Sequence, residues 1–333
     1  MQKRPIYLTV SLDVEEEGLF RGVYERKNCT VENTRHLERL SPLIDQGVRP
    51  TLFCAYTVLS DSASLARLET LKAKGAEIAV HLHHWNTPPL PDDLSPLHSV
   101  PSKELTDDIF LAKLKSVIAK AKANFGPVTS FRMGRWDIHR RHFPLLAQAG
   151  IITDASVRPL HGCTKHNPDH FSAPAHPYWI PTSQGALFEV PLTVTPIVRS
   201  IVPLLNGAPQ LFGACSAWLK STTNYWGALA LLPAYHPLWL MQTITSLYLL
   251  RGGRTLSLTW HSSEMCPGGA PHIKNERQVA ALLRKVTAFI DWLSKKYALR
   301  CVTMNELRNI VGPTAKRRTA QSGDWTVDAT QTP

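Results

Sequence analysis

Three histidines stand within four positions, His81, His83 and His84 in AVHLHHW, and two other short stretches carry groups of matching chemistry. SLDVEEE holds Asp13, Glu15 and Glu16, and LTWHSSE holds His261 and Glu264. A pair of arginines, Arg132 and Arg135, sits in SFRMGRW. Imidazole nitrogens and carboxylate oxygens together make the mixed donor set that suits Zn²⁺ or a similar divalent ion. A carboxylate just beyond the ion can take a proton from a bound water, which is the core of a metal-assisted hydrolase. Each run also has a plain reading of its own: DVEEE alone is a solvated acidic loop, and HLHHW alone a set of surface or hydrogen-bonded core histidines. What separates the readings is whether the fold brings the runs together.

Each run closes an apolar, β-rich segment. Strands are expected over Ile6–Val14, Arg49–Tyr56, Ala76–His83, Thr129–Gly134, Ala186–Thr193 and Thr255–His261. Between them lie helical stretches such as TRHLERLSPLIDQG, ASLARLETLKAKG and KELTDDIFLAKLKSVIAKAKANFG, with apolar residues at helical spacing. Strand and helix in alternation predict an α/β fold on a parallel sheet, written as a barrel of β/α units. In such folds the reactive groups gather at the C-terminal ends of the strands. Residues two apart on a strand share a face, so Asp13 and Glu15 point together to the mouth, as do His81 and His83. His84 suits a helical turn instead. From about 161 to 250 the chain is rich in Pro, His and aromatic residues and is expected to form an irregular insertion in a domain spanning 1–311; residues 312–333 lack apolar periodicity and are read as a flexible tail.

At 333 residues and 44% hydrophobic content the chain can bury a core without disulfide staples. Its six cysteines include no CxxC pair, which excludes a zinc knuckle or a redox dithiol and fits a reduced compartment. The start, MQKRPIYLTVSLDVEEE, has no apolar run of the signal-peptide kind, so a cytoplasmic location is expected. A formal net charge of +11 suits an acidic polymer or an anionic membrane surface. No basic run threaded with aromatics appears beyond Lys316–Arg318, so no nucleic-acid partner is expected. Tyr225–Leu250 carries no formal charge over more than the ~20 residues that span a bilayer. Pro233, His236 and Pro237 interrupt it, so a buried or interfacial helical hairpin is expected, with peripheral contact at the inner face of the membrane left open.

Taken together, these runs resemble the NodB-type polysaccharide deacetylases, metal-dependent enzymes that remove acetyl groups from amino sugars, over most of residues 3–311. The resemblance implies roles residue by residue. SLDVEE resembles the first family motif, with Asp13 as general base and Glu15 as metal ligand. GAEIAVHLHHW resembles the second, with His81 and a further histidine as ligands. The FR of SFRMGRW resembles the third, with Arg132 orienting the base. Asp154-Ala155-Ser156 resembles the fourth. LTWHSSE resembles the fifth, with His261 as general acid and Asp154 tuning its pKa. Two departures stand out. The family's adjacent aspartates are replaced by Asp-Val-Glu, so the ligand is Glu15 or Glu16. Trp85 occupies the place of the second histidine, so that ligand is His83 or His84, of which His83 shares the face of His81; a branch with an HLH-type second motif is the better match.

The same resemblance implies a distorted (β/α) barrel of about seven parallel strands with an irregular insertion, a divalent ion, Zn above all, and hydrolysis of a non-peptide carbon–nitrogen bond. The substrate it implies is a carbohydrate, an N-acetylated amino sugar in a polysaccharide or glycan precursor. Two other functions would use the same residues. One is a deformylase or amidase acting on a lipid-linked sugar. The other is an inactive glycan-binding protein that stacks sugar rings on Trp179, Trp218, Tyr225, Trp226 and Trp239. The presence of both Asp13 and His261 favours an enzyme, since a binder needs neither base nor acid. Glu264 lies in HSSEMCPGGAPH, where Gly268 and Gly269 let the loop approach a substrate closely.

Overall fold

The run IYLTVSLDV forms strand β1 (Ile6–Val14), buried along nearly its whole length because sheet neighbours and helices cover both of its faces. The computed structural model describes residues 4–90, 101–161, 168–197 and 228–315. Around β1 assemble β2 (Thr51–Cys54), β3 (Glu77–Leu82), β4 (Ser130–Met133), β5 (Thr153–Asp154), β6 (Tyr178–Thr182), β7 (Gly185–Glu189), β10 (Thr255–His261) and β11 (Leu299–Cys301), making a nine-stranded sheet. Its order is β10-β1-β2-β3-β4-β5-β7-β6, with β11 also paired to β1. All neighbours are parallel except the hairpin β6–β7. The strands curl into a half-barrel, and the seven parallel strands along its path match the number expected. A separate pair, β8 (Val194–Pro196) with β9 (Ala228–Ala230), runs antiparallel.

Helices cover the sheet for reasons visible in their sequences. Glu276–Lys296 buries Val279, Leu282, Val286, Phe289, Ile290 and Leu293, spaced three and four apart along one face. Asn275 caps its start, and Thr303 caps Met304–Val311 in a reciprocal box with Glu306. Asp107–Phe125 begins on the Thr106 side chain and ends at Gly126, whose φ of 79° an L side chain would resist. The helix expected over TRHLERLSPLIDQG is instead a 3₁₀ segment, Glu32–Leu40, followed by a short α-helix, Ser41–Asp45. Pro42 explains the break, since it lacks the N–H that a continuing helix needs but fits a helix's first turn.

The region expected to be irregular is more ordered where it is described. There, β6 and β7 extend the main sheet, and Leu238–Leu250 is a helix of 13 residues. Among the described residues no helix is long and apolar enough to cross a membrane. The described chain also runs past 311 through a turn at Gly312–Thr314, where the Trp179 indole N–H donates to the Gly312 carbonyl at 2.8 Å. Trp179 thus fastens the C-terminal turn. Residues 316–333, with Lys316–Arg318, lie outside the described residues, as do Trp218, Tyr225, Trp226, Cys163 and Cys215. The described cysteines, Cys29, Cys54, Cys266 and Cys301, are free thiols.

One buried cation holds the loop that follows the histidine run. Lys113, 1% exposed, donates from Nζ to the carbonyls of Thr87 at 2.7 Å and Pro89 at 2.5 Å. Methionine can fill its volume but not supply the donors, which leaves two carbonyls without their charged partner. Lys113→Met is expected to lower stability by about 2–3 kcal/mol in chemical denaturation.

Candidate metal centre and active site

Strand register delivers the reactive groups to one rim. In the β1–β10 ladder Asp13 lies directly across from His261, and in the β3–β4 ladder His81 lies across from Arg132. All four stand at the C-terminal ends of neighbouring parallel strands. Glu15 follows β1 and His83 follows β3, each still buried and on the same side as the residue two before it.

Glu15, His81 and His83 form a group whose ligand atoms all lie within 4.8 Å of one another. Glu15 Oε2 is 3.4 Å from His81 Nε2 and 3.3 Å from His83 Nε2. The other ring nitrogens are already committed. His81 Nδ1 meets the carbonyl of Arg132 at 3.0 Å, and His83 Nδ1 meets the Glu16 carboxylate at 2.9 and 3.0 Å. Both partners only accept, so each Nδ1 carries a proton and each Nε2 is the nitrogen turned toward Glu15, the one that would be given over to an ion. That is the tautomer and orientation that ligating histidines take, with a carbonyl or carboxylate behind each ring. The donor set therefore fits a divalent ion.

The charge balance agrees. Burial works against the charge on Glu15, but His261, His81 and His83 hold its carboxyl far below the usual carboxylate range. Burial likewise opposes charge on His83, yet Glu16 and Glu15 outweigh it and push the ring up to about 10. The cluster attracts positive charge, and a bound cation would supply it.

Several alternatives left by the sequence are separated here. Glu16 stands behind His83 and accepts from Trp85 Nε1 at 3.1 Å, Asn86 Nδ2 at 2.7 Å and Thr57 Oγ1 at 3.2 Å. It holds the His83 ring from behind, while Glu15 belongs to the group that could hold an ion. His84 lies edge-on to Trp85 at 5.3 Å and is in neither the ligand group nor the cavity wall. Trp85 stacks on His83 with ring centres 4.2 Å apart and so steadies that ring.

Asp13 and Arg132 are buried together. Arg132 Nη1 donates to Asp13 Oδ1 at 2.6 Å and to Thr259 Oγ1 at 2.9 Å, Nη2 to Ser11 Oγ at 2.9 Å, and Nε to the Ala155 carbonyl at 3.0 Å. Its guanidinium also lies 4.1 Å over the Phe53 ring. Asp13 Oδ2 is left facing His261 Nε2 at 3.8 Å. Asp13 and His261 line a cavity of ≈160 Å³ together with Glu15, His81 and His83, walled also by Phe20, Tyr24, Arg135 and Trp136.

His261 is oriented by Glu264, and the role expected of Asp154 is corrected accordingly. Glu264 Oε2 accepts from His261 Nδ1 and from its backbone N–H, both at 2.9 Å, while Oε1 meets His272 Nε2 at 2.6 Å. Burial opposes charge on His261, but Glu15, Glu264 and Asp13 push the ring up to about 10. Burial also opposes charge on Glu264, whose carboxyl His261 and His272 nonetheless hold down at about 2. Asp154 sits lower, paired in register with Phe131 and Glu189, and accepts from the Ser156 hydroxyl. Burial lifts it to about 6, and burial with the charge of Asp154 beside it lifts Glu189 well above the usual range. Sequence reasoning placed Glu264 near a substrate instead; the signal available was its spacing of three from His261 at the start of a turn, where an acid reaches back to its own cap.

No protein-family model matches the chain, and no curated protein matches it. Solved structures match at the level of fold. A Mycobacterium smegmatis protein assigned as a polysaccharide deacetylase aligns over 96% of this chain and 95% of its own, with 17% identity and a TM-score of 0.59. A Parabacteroides distasonis protein assigned as a glycoside hydrolase/deacetylase aligns over 93% and 71%, with 10% identity and a TM-score of 0.57. The 4-alpha-glucanotransferase of Thermococcus litoralis aligns over 93% of this chain but only 40% of its own length, with 12% identity and a TM-score of 0.54. The chain therefore has the (β/α) half-barrel fold of the polysaccharide deacetylase type.

Gly134 was also missed from the sequence. A Cβ there would lie 2.4 Å from His83 Cδ2 and 2.7 Å from the Leu82 carbonyl oxygen, so only glycine lets the β4 turn pass behind the histidine. Gly134→Ala is expected to weaken metal binding roughly 10- to 100-fold, as losses behind a ligand do. In elemental mass spectrometry about one equivalent of metal per chain is expected for the wild type. His81→Ala and His83→Ala should lose it, and His84→Ala should keep it.

Proposed function

We propose that this chain is a metal-dependent hydrolase that removes the N-acetyl group from an amino sugar in a polysaccharide or glycan precursor, with zinc as the ion. One observation carries this reading: Asp13 and His261 face each other across 3.8 Å, in the same cavity as the Glu15–His81–His83 group. A group that holds an ion needs no such pair unless protons move. The deacetylase assignments of structurally similar proteins support the same substrate class.

Glu15, His81 and His83 would hold the ion, which when bound supplies Lewis acidity to the amide carbonyl and to the attacking water. Asp13 takes the proton of that water as its oxygen adds to the carbonyl carbon. Arg132 makes this possible by occupying Oδ1 and leaving Oδ2 toward the cavity. His261, with Nδ1–H fixed on Glu264, presents Nε2 to the leaving nitrogen and protonates it as the C–N bond breaks. Acetate and a free amine leave. Glu264, on the far side of the ring from the Glu15–His81–His83 group, is one of the carboxylates that raise the pKa of His261.

Two outcomes test these roles with acetate release from N-acetylated oligosaccharides. Asp13→Asn is expected to keep its metal and lose about 10²- to 10⁴-fold in kcat, the usual worth of a general base. Unchanged turnover would exclude Asp13 from that role. Glu264→Gln removes the negative charge behind His261, so its ring loses the proton at lower pH. Because activity through an acid disappears as pH rises past its pKa, the alkaline limb of kcat/KM should move to lower pH in this variant. A lower kcat with the limb in place would make Glu264 structural only.

A further inference from the structure

Arg135 borders the cavity of the metal-site residues but has no part in holding them. Its guanidinium lies 5.1 Å over the Tyr24 ring, and among the described residues no carboxylate pairs with it. The acid two residues on, Asp137, is engaged elsewhere: Oδ2 accepts from the Ser102 N–H at 2.5 Å and Oδ1 meets His139 at 3.0 Å. Within the cavity, Asp13 is committed to Arg132, and Glu15 to His81 and His83. A cation with a fork of N–H donors is thus presented to the cleft with its charge unmatched.

The backbone that presents it is strained. Arg135 and Trp136 both have φ of 60°, in the left-handed region that side chains other than glycine resist. They remain there because their neighbours leave no alternative. Gly134 is wedged against His83, and the Trp136 ring lies under the guanidinium groups of Arg132 at 5.1 Å and Arg158 at 5.8 Å. Strain that the surroundings enforce in this way concentrates at active sites and ligand clamps.

We propose that Arg135 is a specificity residue that binds an oxyanion, carboxylate or phosphate, carried by the amino sugar whose acetamide reaches the metal centre. The acetamide rests on the deacetylase reading above; the oxyanion rests on Arg135 itself. A guanidinium can stack on an aromatic ring by its face and still offer two parallel N–H bonds from its edge, the geometry that matches carboxylate and phosphate. The +11 net charge of the chain favours the approach of such a substrate.

Calorimetry on the metal-loaded protein tests this with three probes: N-acetylglucosamine, N-acetylglucosamine 1-phosphate and 2-acetamido-2-deoxyglucuronate. Acetate release from each is measured alongside. The wild type is expected to bind at least one charged probe roughly 10- to 100-fold more tightly than the neutral one, the worth of a charge-assisted pair. Arg135→Met should lose that preference, and Arg135→Lys should keep part of it, having the charge without the fork. If the methionine variant fails to fold, Arg135→Gly replaces it, since glycine takes a φ of 60° without strain. Preference for the phosphate points to a phosphorylated precursor, and preference for the uronate to an acidic glycan. Equal binding of all three probes overturns the proposal, as does a preference that survives in both neutral variants because the metal itself holds the anion. Preference without acetate release would refute the deacetylase reading and leave Arg135 as assigned; acetate release with no preference does the reverse.

Discussion

Three carboxylates, Asp13, Glu15 and Glu16, are buried at the end of the central strand, each no more than 4% exposed. Charge removed from water in this way is tolerated only when it is paired and hydrogen-bonded. Much of the rim of the half-barrel answers that demand. Arg132 comes from β4 to Asp13, His81 and His83 come from the end of β3 to Glu15, and the loop after β3 sends Trp85 and Asn86 to Glu16. The three acids end with different partners and therefore different chemistry. Asp13 keeps one oxygen toward His261, Glu15 meets the Nε2 atoms of two imidazoles, and Glu16 is fully occupied in holding His83 and its neighbours.

The parallel sheet turns this demand into geometry. Parallel neighbours bring their C-terminal ends to one rim, so groups far apart in the chain, such as Asp13 and His261, become direct partners. The rim is stiffened from behind. Arg132 uses its carbonyl to orient His81 and its guanidinium to orient Asp13, so one residue aligns both halves of the site. The turn after β4 packs Gly134 on His83 and then enters the left-handed region at Arg135 and Trp136, coupling the metal-site histidine to the cavity wall.

The sequence alone determined two neighbouring strands of the site, Ile6–Val14 and Thr255–His261, to the residue, because each is an unbroken β-rich run. The α/β class followed from alternating strand and helix patterns, and the number of about seven parallel strands from the resemblance to the deacetylase family. The period of two along a strand, carried just past its end, was enough to put Asp13 with Glu15 and His81 with His83. Other features were not legible. β5 is two residues long and β11 three, too short to show any period, and within 161–250 the strand expected at Ala186–Thr193 was found as β7 while its hairpin partner β6 was not foreseen.

Only the tertiary structure decided between residues of equal chemistry. Glu15 and Glu16 are adjacent and identical in type, as are His83 and His84, and the period of two picks one of each pair without showing what the other does. The difference lies in what packs against them: Glu16 meets Trp85 and Asn86, and His83 is aimed by Glu16 and stacked by Trp85. The acid that meets His261 is decided for the same reason. Asp154 stands at a register level below the rim, beside Glu189, while Glu264 curls back through one turn to His261. Residue types and spacing along the chain determine which groups are available to do chemistry; register and packing across the sheet determine which of them meet.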